Sequence, residues 1–80
     1  MDAQFIARMV LFHRKKSGMS RIFCAELAGV GKTAIYDIEH GKKSVQMDTL
    51  LRVLHVLNIK IVFSSPLMPI FESENNHSTT

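Results

Sequence analysis

Three of the four glycines, Gly18, Gly29 and Gly41, divide residues 1–57 into segments that each carry a helical repeat of apolar residues. Because glycine readily ends helices, none of these segments is expected to continue as a long helix. The pattern predicts short helices over about residues 3–16, 20–28, 31–39 and 47–57. Helices this short bury an apolar face only by packing on one another, so the sequence predicts a small all-α bundle.

Beyond Asn58 the apolar repeat changes from a helical period to a period of two, which is typical of a β-strand. A single strand needs a partner for its backbone donors and acceptors. We therefore expect one C-terminal β-strand that pairs with the same strand of a second copy across a homodimer. The residues of this dimer strand are Ile59, Ile61, Val62 and Phe63.

The chain is long enough for one domain. We expect that domain over residues 1–65, because Ser65-Pro66 ends the strand, and a flexible C-terminal tail over residues 66–80. Within the polar tail, residues 67–71 form a short apolar patch. Two alternatives stay open for this patch: it folds onto a protein partner, or it packs back on its own domain or on the sister subunit.

The residue inventory argues against an enzyme and against a cofactor. Cys24 is the only cysteine, and the four histidines lie far apart, so we expect no metal site. The segment from Gly29 to Thr33 ends like a phosphate-binding loop, but Glu26 stands where that motif requires its first glycine. No arrangement typical of catalytic residues is visible. Without a secretory signal or a membrane-length apolar run, a cytoplasmic location with no membrane contact is expected.

Two of the predicted helices, joined by a tight turn at Gly29, form a helix-turn-helix unit. The second helix can bury Val30, Ile35 and Ile38, and its four-residue spacing places polar side chains together on the opposite face. These are Lys32, Thr33, Tyr36 and Asp37. Such donors and acceptors suit the base edges of DNA, although the pattern alone favours an ordinary polar helix surface equally. A net charge of +3 permits a polyanionic partner.

The stretch SRIFCAELAGVGKTAIYDIEHG, residues 20–41, resembles the phage-repressor (Cro/C1, XRE) helix-turn-helix family, and the similarity continues to Leu57. The Ala-Gly-Val turn, the Ile-Glu-x-Gly close and the Thr-Leu-Leu start of the next helix carry the resemblance. It implies a lambda-repressor-like bundle of four to five short helices. It also implies a bacterial transcriptional repressor that binds double-stranded DNA at an inverted-repeat operator.

The resemblance also implies roles for individual residues. The base-contacting residues are expected to be Lys32, Thr33, Tyr36 and Asp37, on the recognition helix. The phosphate-contacting residues are expected to be Ser20, Arg21, Lys42 and Lys43. Arg14 and Glu39 are expected to form a structural salt bridge.

Within this family the chain is most similar to the HipB-type antitoxins, which end in a short strand that pairs across the dimer and then a flexible tail. The run from Asn58 to Ser64, followed by Pro66, matches that arrangement. The similarity implies an antitoxin that represses its own toxin–antitoxin operon and binds a HipA-type kinase toxin. The alternative is a stand-alone XRE-family regulator without a toxin partner.

Overall fold

The computed structural model describes residues 1–78, with side chains described through residue 75, and this part of the chain forms five helices. They are α1 (Ala3–Ser17), α2 (Arg21–Ala28), α3 (Ala34–Glu39), α4 (Met47–Val56) and α5 (Met68–Ser78). Helix α3 packs on α1, α2 and α4, and α2 also packs on α4. The predicted all-α bundle with a helix-turn-helix is therefore confirmed.

Local sequence signals set the limits of the first two helices. Asp2 Oδ1 accepts a hydrogen bond from the Phe5 N–H at 2.9 Å, and Ser20 Oγ accepts one from the Phe23 N–H at 3.0 Å. Helix α2 ends at Gly29, whose φ of 69° lies in the left-handed region that favours glycine. Each cap satisfies backbone groups that have no partner inside the helix.

Helix α3 is shorter than predicted. It begins at Ala34, whereas the sequence pattern suggested a start near Gly31. Thr33 stands at its N-cap with helical backbone angles, and its side chain makes no capping hydrogen bond. Without a cap at Gly31 or Thr33, the first turn of the predicted helix becomes an irregular turn that leads into α3.

The four helices of the bundle each contribute one fully buried side chain to the centre of the core. These residues are Val10, Cys24, Ile35 and Val53. Cys24 is a core thiol, and burial raises the pKa of this thiol. The buried side of α4 centres on Val53 and Leu54, while Met47 at the start of the helix is 73% exposed.

The segment that follows α4 has no regular secondary structure in this single chain. Asn58, with a φ of 58°, ends α4, and the Ile59 N–H donates to the Leu54 carbonyl at 2.9 Å. Residues 59–65 then run without helix, and residues 1–78 contain no strand. The strand is therefore not observed within one chain. Its pairing across a dimer stays a prediction, because a lone strand has no partner for its backbone groups.

Helix α5 lies inside the segment that the sequence assigned to a flexible tail. The Phe71 N–H donates to the Leu67 carbonyl at 3.0 Å, so the helical hydrogen bonds begin directly after Pro66. The sequence did not predict this helix because its apolar repeat is too short. After Leu67 the repeat contains only Met68, Ile70 and Phe71 among the described side chains, and polar residues follow. No helix within residues 1–78 has the length and apolar character needed to cross a membrane.

Candidate nucleic-acid interface

The outer side of α3 and the turn before it carry the residues predicted to contact bases. Ile35 and Ile38 are buried, which turns the opposite side of this short helix outward. Lys32 and Thr33 are exposed in the turn, and Tyr36 is half exposed one turn later. The structure therefore brings polar side chains together on the surface of the second helix of the helix-turn-helix.

Asp37, the fourth residue of the predicted face, forms an ion pair with Lys42. Its Oδ2 lies 3.6 Å from the Lys42 Nζ, and the side chains are 30% and 55% exposed. Thr33, Asp37 and Lys42 line the same shallow hollow between α3 and the loop that follows it. The ion pair offsets the carboxylate charge, which reduces the repulsion that Asp37 would exert on a nearby phosphate.

Tyr36 is held by aromatic and cationic neighbours. Its ring stacks on the His40 ring with centroids 3.7 Å apart and planes inclined by 20°. The His40 Nδ1 donates to the Tyr36 carbonyl at 2.8 Å, and the Arg21 guanidinium lies 5.6 Å from the Tyr36 ring centroid. Sequence reasoning missed His40, although its spacing of four residues from Tyr36 was the available signal.

The end of α3 is tied to α1 and α2 by two arginines that bind one buried carboxylate. Arg14 Nε and Nη2 donate to the Glu39 carboxylate at 2.5 and 3.1 Å, and Arg21 Nε donates at 3.0 Å. The Glu39 side chain is 1% exposed, and Arg14 is 9% exposed. Arg14 Nη1 also donates to the Met19 carbonyl at 2.9 Å, in the turn before α2. This arginine–carboxylate cluster fixes α3 relative to both preceding helices.

Burial of the Glu39 carboxylate would raise its pKa, but the hydrogen bonds from Arg14 and Arg21 outweigh burial and lower the pKa below its ordinary value. The same hydrogen bond to Glu39 raises the pKa of Arg14 despite its partial burial. Glu39 and Arg14 therefore both carry their charges at neutral pH. The cluster holds two positive charges against one negative charge.

The residues predicted to contact phosphate differ in their surroundings. Ser20 is exposed, and its hydroxyl caps α2. Arg21 and Lys42 are partly exposed and each pairs with a carboxylate of α3. Lys43 is exposed and forms no ion pair with the side chains of residues 1–75. The exposed part of this surface is positive overall, because Asp37 is its partly exposed carboxylate and its exposed cations are Arg21, Lys32, Lys42 and Lys43.

The described part of the chain contains no grouping of three or more His, Cys, Asp or Glu side chains that could hold a metal ion. The exposed side chains of this surface offer hydrogen-bonding groups and charge. Cations flank α3 and the turn before it, which together expose a hydroxyl, a phenol and an ammonium group. This combination of hydrogen-bonding and cationic side chains is suited to the major groove and the phosphate backbone of DNA.

Comparison with known proteins agrees with this geometry. The family model described as Helix-turn-helix matches residues 13–63, which begin within α1, include α2, α3 and α4, and end in the segment after α4. No curated protein matches the chain significantly. The chain therefore belongs to the XRE-type helix-turn-helix family, whose members are DNA-binding transcriptional regulators.

Proposed function

We propose that this protein is a repressor that binds an inverted-repeat DNA site as a homodimer, with α3 entering the major groove. The observation that supports the proposal best is the exposure of Lys32, Thr33 and Tyr36 on α3 and the turn before it, where the end of α3 is anchored by the Arg14–Glu39 ion pair. An anchored helix presents its side chains to base edges in one orientation, which sequence discrimination requires. Lys43 and the outer parts of Arg21 and Lys42 bind the flanking phosphates.

Asp37 accepts a hydrogen bond from a cytosine amino group in this proposal, since a carboxylate is a suitable acceptor for that donor. The Lys42 ion pair keeps the carboxylate compatible with the nearby phosphates. Arg21 is paired with Glu39 through Nε alone, so its remaining nitrogens are free for a phosphate oxygen. Ser20 stands at the N-terminus of α2, where the backbone N–H groups favour the binding of an anion such as a DNA phosphate.

The homodimer is supported by a continuous apolar surface on α2, α4 and the segment after α4. Leu27 and Leu51 line one shallow hollow, and Leu51 and Ile61 line the next. Leu27 is 53% exposed, Val62 is 86% exposed and Phe63 is 69% exposed. Pairing of residues 59–63 with the same residues of a second copy would cover this surface and satisfy the backbone groups of the segment.

DNA binding is tested with duplexes selected by the full chain from a library of random sequence. We expect the enriched duplexes to contain an inverted repeat with half-sites about one helical turn apart. Lys32→Ala and Thr33→Ala should each weaken binding to the enriched duplex by roughly 5- to 100-fold, because a good base contact contributes about 1–3 kcal/mol of discrimination. Ser17→Ala, which removes an exposed hydroxyl from α1, serves as the matched control for Thr33→Ala. Equal affinity of the Lys32 and Thr33 variants and the unmodified chain would refute the assignment of α3.

Strand pairing is tested separately by sedimentation equilibrium. Val62→Pro removes one backbone N–H from the predicted strand, so we expect the dimer to dissociate at lower dilution than the unmodified protein. Val62→Thr retains the N–H and the branched side chain and is the matched control. A Val62→Pro variant that dimerises as tightly as the control would exclude pairing through this part of the segment.

The antitoxin role is a second proposal, which the likeness of residues 58–66 to the HipB-type arrangement favours. An antitoxin would bind a HipA-type kinase toxin, whereas a stand-alone XRE-family regulator would bind DNA only. Co-expression of the full chain with a kinase encoded beside its gene distinguishes the two. A stable complex that abolishes autophosphorylation supports the antitoxin role, and failure to co-purify supports the stand-alone regulator.

A further inference from the structure

The outer face of α1 carries an apolar pair between cationic side chains. Leu11 is partly buried and Phe12 is 59% exposed, and both line a shallow hollow with Arg8, Lys15 and Lys16. None of these three cations forms an ion pair among the side chains described, residues 1–75. The face lies outside the candidate DNA interface, and neither the core nor the proposed dimer surface uses it.

Helix α5 and the residue before it carry exposed apolar side chains and a carboxylate, which complement the apolar pair and the cations of α1. Leu67, Ile70 and Phe71 are 69%, 58% and 60% exposed, and Glu74 is exposed one turn later. The spacing 67, 70, 71 and 74 places these four side chains along one side of the helix. Apolar residues followed by a carboxylate therefore form a stripe that is uncovered in the single chain.

The outer face of α1 also forms a stripe, and this α1 stripe matches the α5 stripe in length and is opposite to it in charge. The α1 stripe runs over residues 8–16 and the α5 stripe over residues 67–74, each about 10–12 Å long at a helical rise of 1.5 Å per residue. In a parallel arrangement Glu74 meets Lys15, because both stand three residues beyond an aromatic residue. In an antiparallel arrangement Glu74 meets Arg8, so either direction pairs the carboxylate with a cation.

We propose that α5 of one copy docks on the Arg8–Lys16 face of α1 of a second copy. Contact between the apolar residues removes exposed Phe12 and Phe71 from water, which is the main source of affinity. The pairing of Glu74 with a cation selects the register rather than supplying most of the affinity. This contact is separate from the predicted pairing of residues 59–63 and does not require DNA binding.

The contact is tested directly by disulfide formation between two full-length variants. Phe12→Cys and Phe71→Cys are mixed under oxidising conditions, and the mixed disulfide is identified by mass spectrometry. Cys24 is fully buried, so the native thiol does not compete. The matched control is Phe12→Cys mixed with Glu72→Cys, because residue 72 lies on the other side of α5 from Glu74. We expect the 12–71 disulfide to form faster, and equal rates would overturn the proposal.

Charge reversal provides an independent test by sedimentation equilibrium. The double variant Arg8→Glu/Lys15→Glu should raise the dissociation constant of self-association by about 2- to 5-fold, the range expected for exposed ion pairs. Adding Glu74→Lys should restore part of the affinity, whereas adding Glu72→Lys should not. Restoration by both reversals or by neither would overturn the register. Circular dichroism of each variant serves to check that its helices are retained.

Truncation after Ser65 separates this proposal from the proposed function. Removal of α5 should weaken self-association, while Lys32-dependent binding to the selected duplex persists when the protein concentration exceeds the dissociation constant. An unchanged dissociation constant after truncation would overturn docking of α5. Loss of the Lys32 dependence in the full chain would instead overturn the DNA-binding assignment.

Discussion

Arg14 and Glu39, which stand 25 residues apart in the chain, form a two-point ion pair that joins α1 to the last residue of α3. Arg21 adds a third hydrogen bond to the same carboxylate from the first residue of α2. Three helices therefore meet at one nearly inaccessible side chain. The cluster links the end of α3, the helix that exposes Tyr36, to both preceding helices.

Replacement of Glu39 should destabilise the protein strongly. Glu39→Gln leaves the buried Arg14 guanidinium without a counter-ion, and breaking a buried ion pair typically costs about 3–5 kcal/mol. For a domain of this size that is a large share of the free energy of unfolding. Urea denaturation measures the loss. Glu26→Gln on the exposed side of α2 is the matched control and should change stability by less than about 0.5 kcal/mol.

The same carboxylate should make the stability depend on pH in the acidic range. The folded-state pKa of Glu39 is lowered from its ordinary value of 4.5, so its contribution is complete above that value and is lost as the pH falls through the lowered pKa. Thermal unfolding between about pH 6 and 2 should show this decline. Glu39→Gln should flatten the curve.

Asp2 contributes a weaker dependence of the same sign, because the hydrogen bond from the Phe5 N–H lowers its pKa. Asp2→Asn therefore serves as the comparison for the acid-dependent stability. It should remove much less of the pH dependence than Glu39→Gln, since Asp2 lies in solvent at the start of α1. A larger effect of Asp2→Asn would contradict the assignment of the acid transition to Glu39.

The stack of Tyr36 on His40 should orient Tyr36 for DNA contact. His40→Ala removes the stacked ring, and we expect binding to the selected duplex to weaken by about 2- to 10-fold, in keeping with the energy of an aromatic pair. His40→Phe keeps a ring and should retain most of the affinity. Fluorescence anisotropy on a labelled duplex measures both. Equal losses for the two variants would show that the ring is not what positions Tyr36.

Removal of the Asp37 charge should strengthen non-specific DNA binding. Asp37→Asn eliminates a carboxylate from the interface and releases Lys42 for a phosphate oxygen. On random-sequence duplex, we expect the affinity to rise and the slope of log K against log salt to steepen by up to about one unit. Glu72→Gln, the same loss of charge on α5, is the control. A salt slope that changes equally in both variants would indicate only an effect of net charge.

Much of the fold followed from signals that act over a few residues. The capping side chains Asp2 and Ser20, and the turn at Gly29, act within one helical turn of their partners, so the limits of α1 and α2 were predictable. The polar residues at 32, 33, 36 and 37 were equally visible from their spacing. The missed start of α3 and the missed helix α5 occur where caps are absent or the apolar repeat is short.

The four-helix pattern of residues 1–57 and the candidate residues of the DNA interface could be predicted from the amino-acid order, because helical periodicity and capping are local properties of the chain. The folded structure was needed to show that Arg21 joins Arg14 on Glu39, that Lys42 pairs with Asp37, and which side of α4 is buried. These relationships depend on the relative placement of the helices and of the loop after α3. Contacts of this kind leave no periodic trace in the amino-acid order.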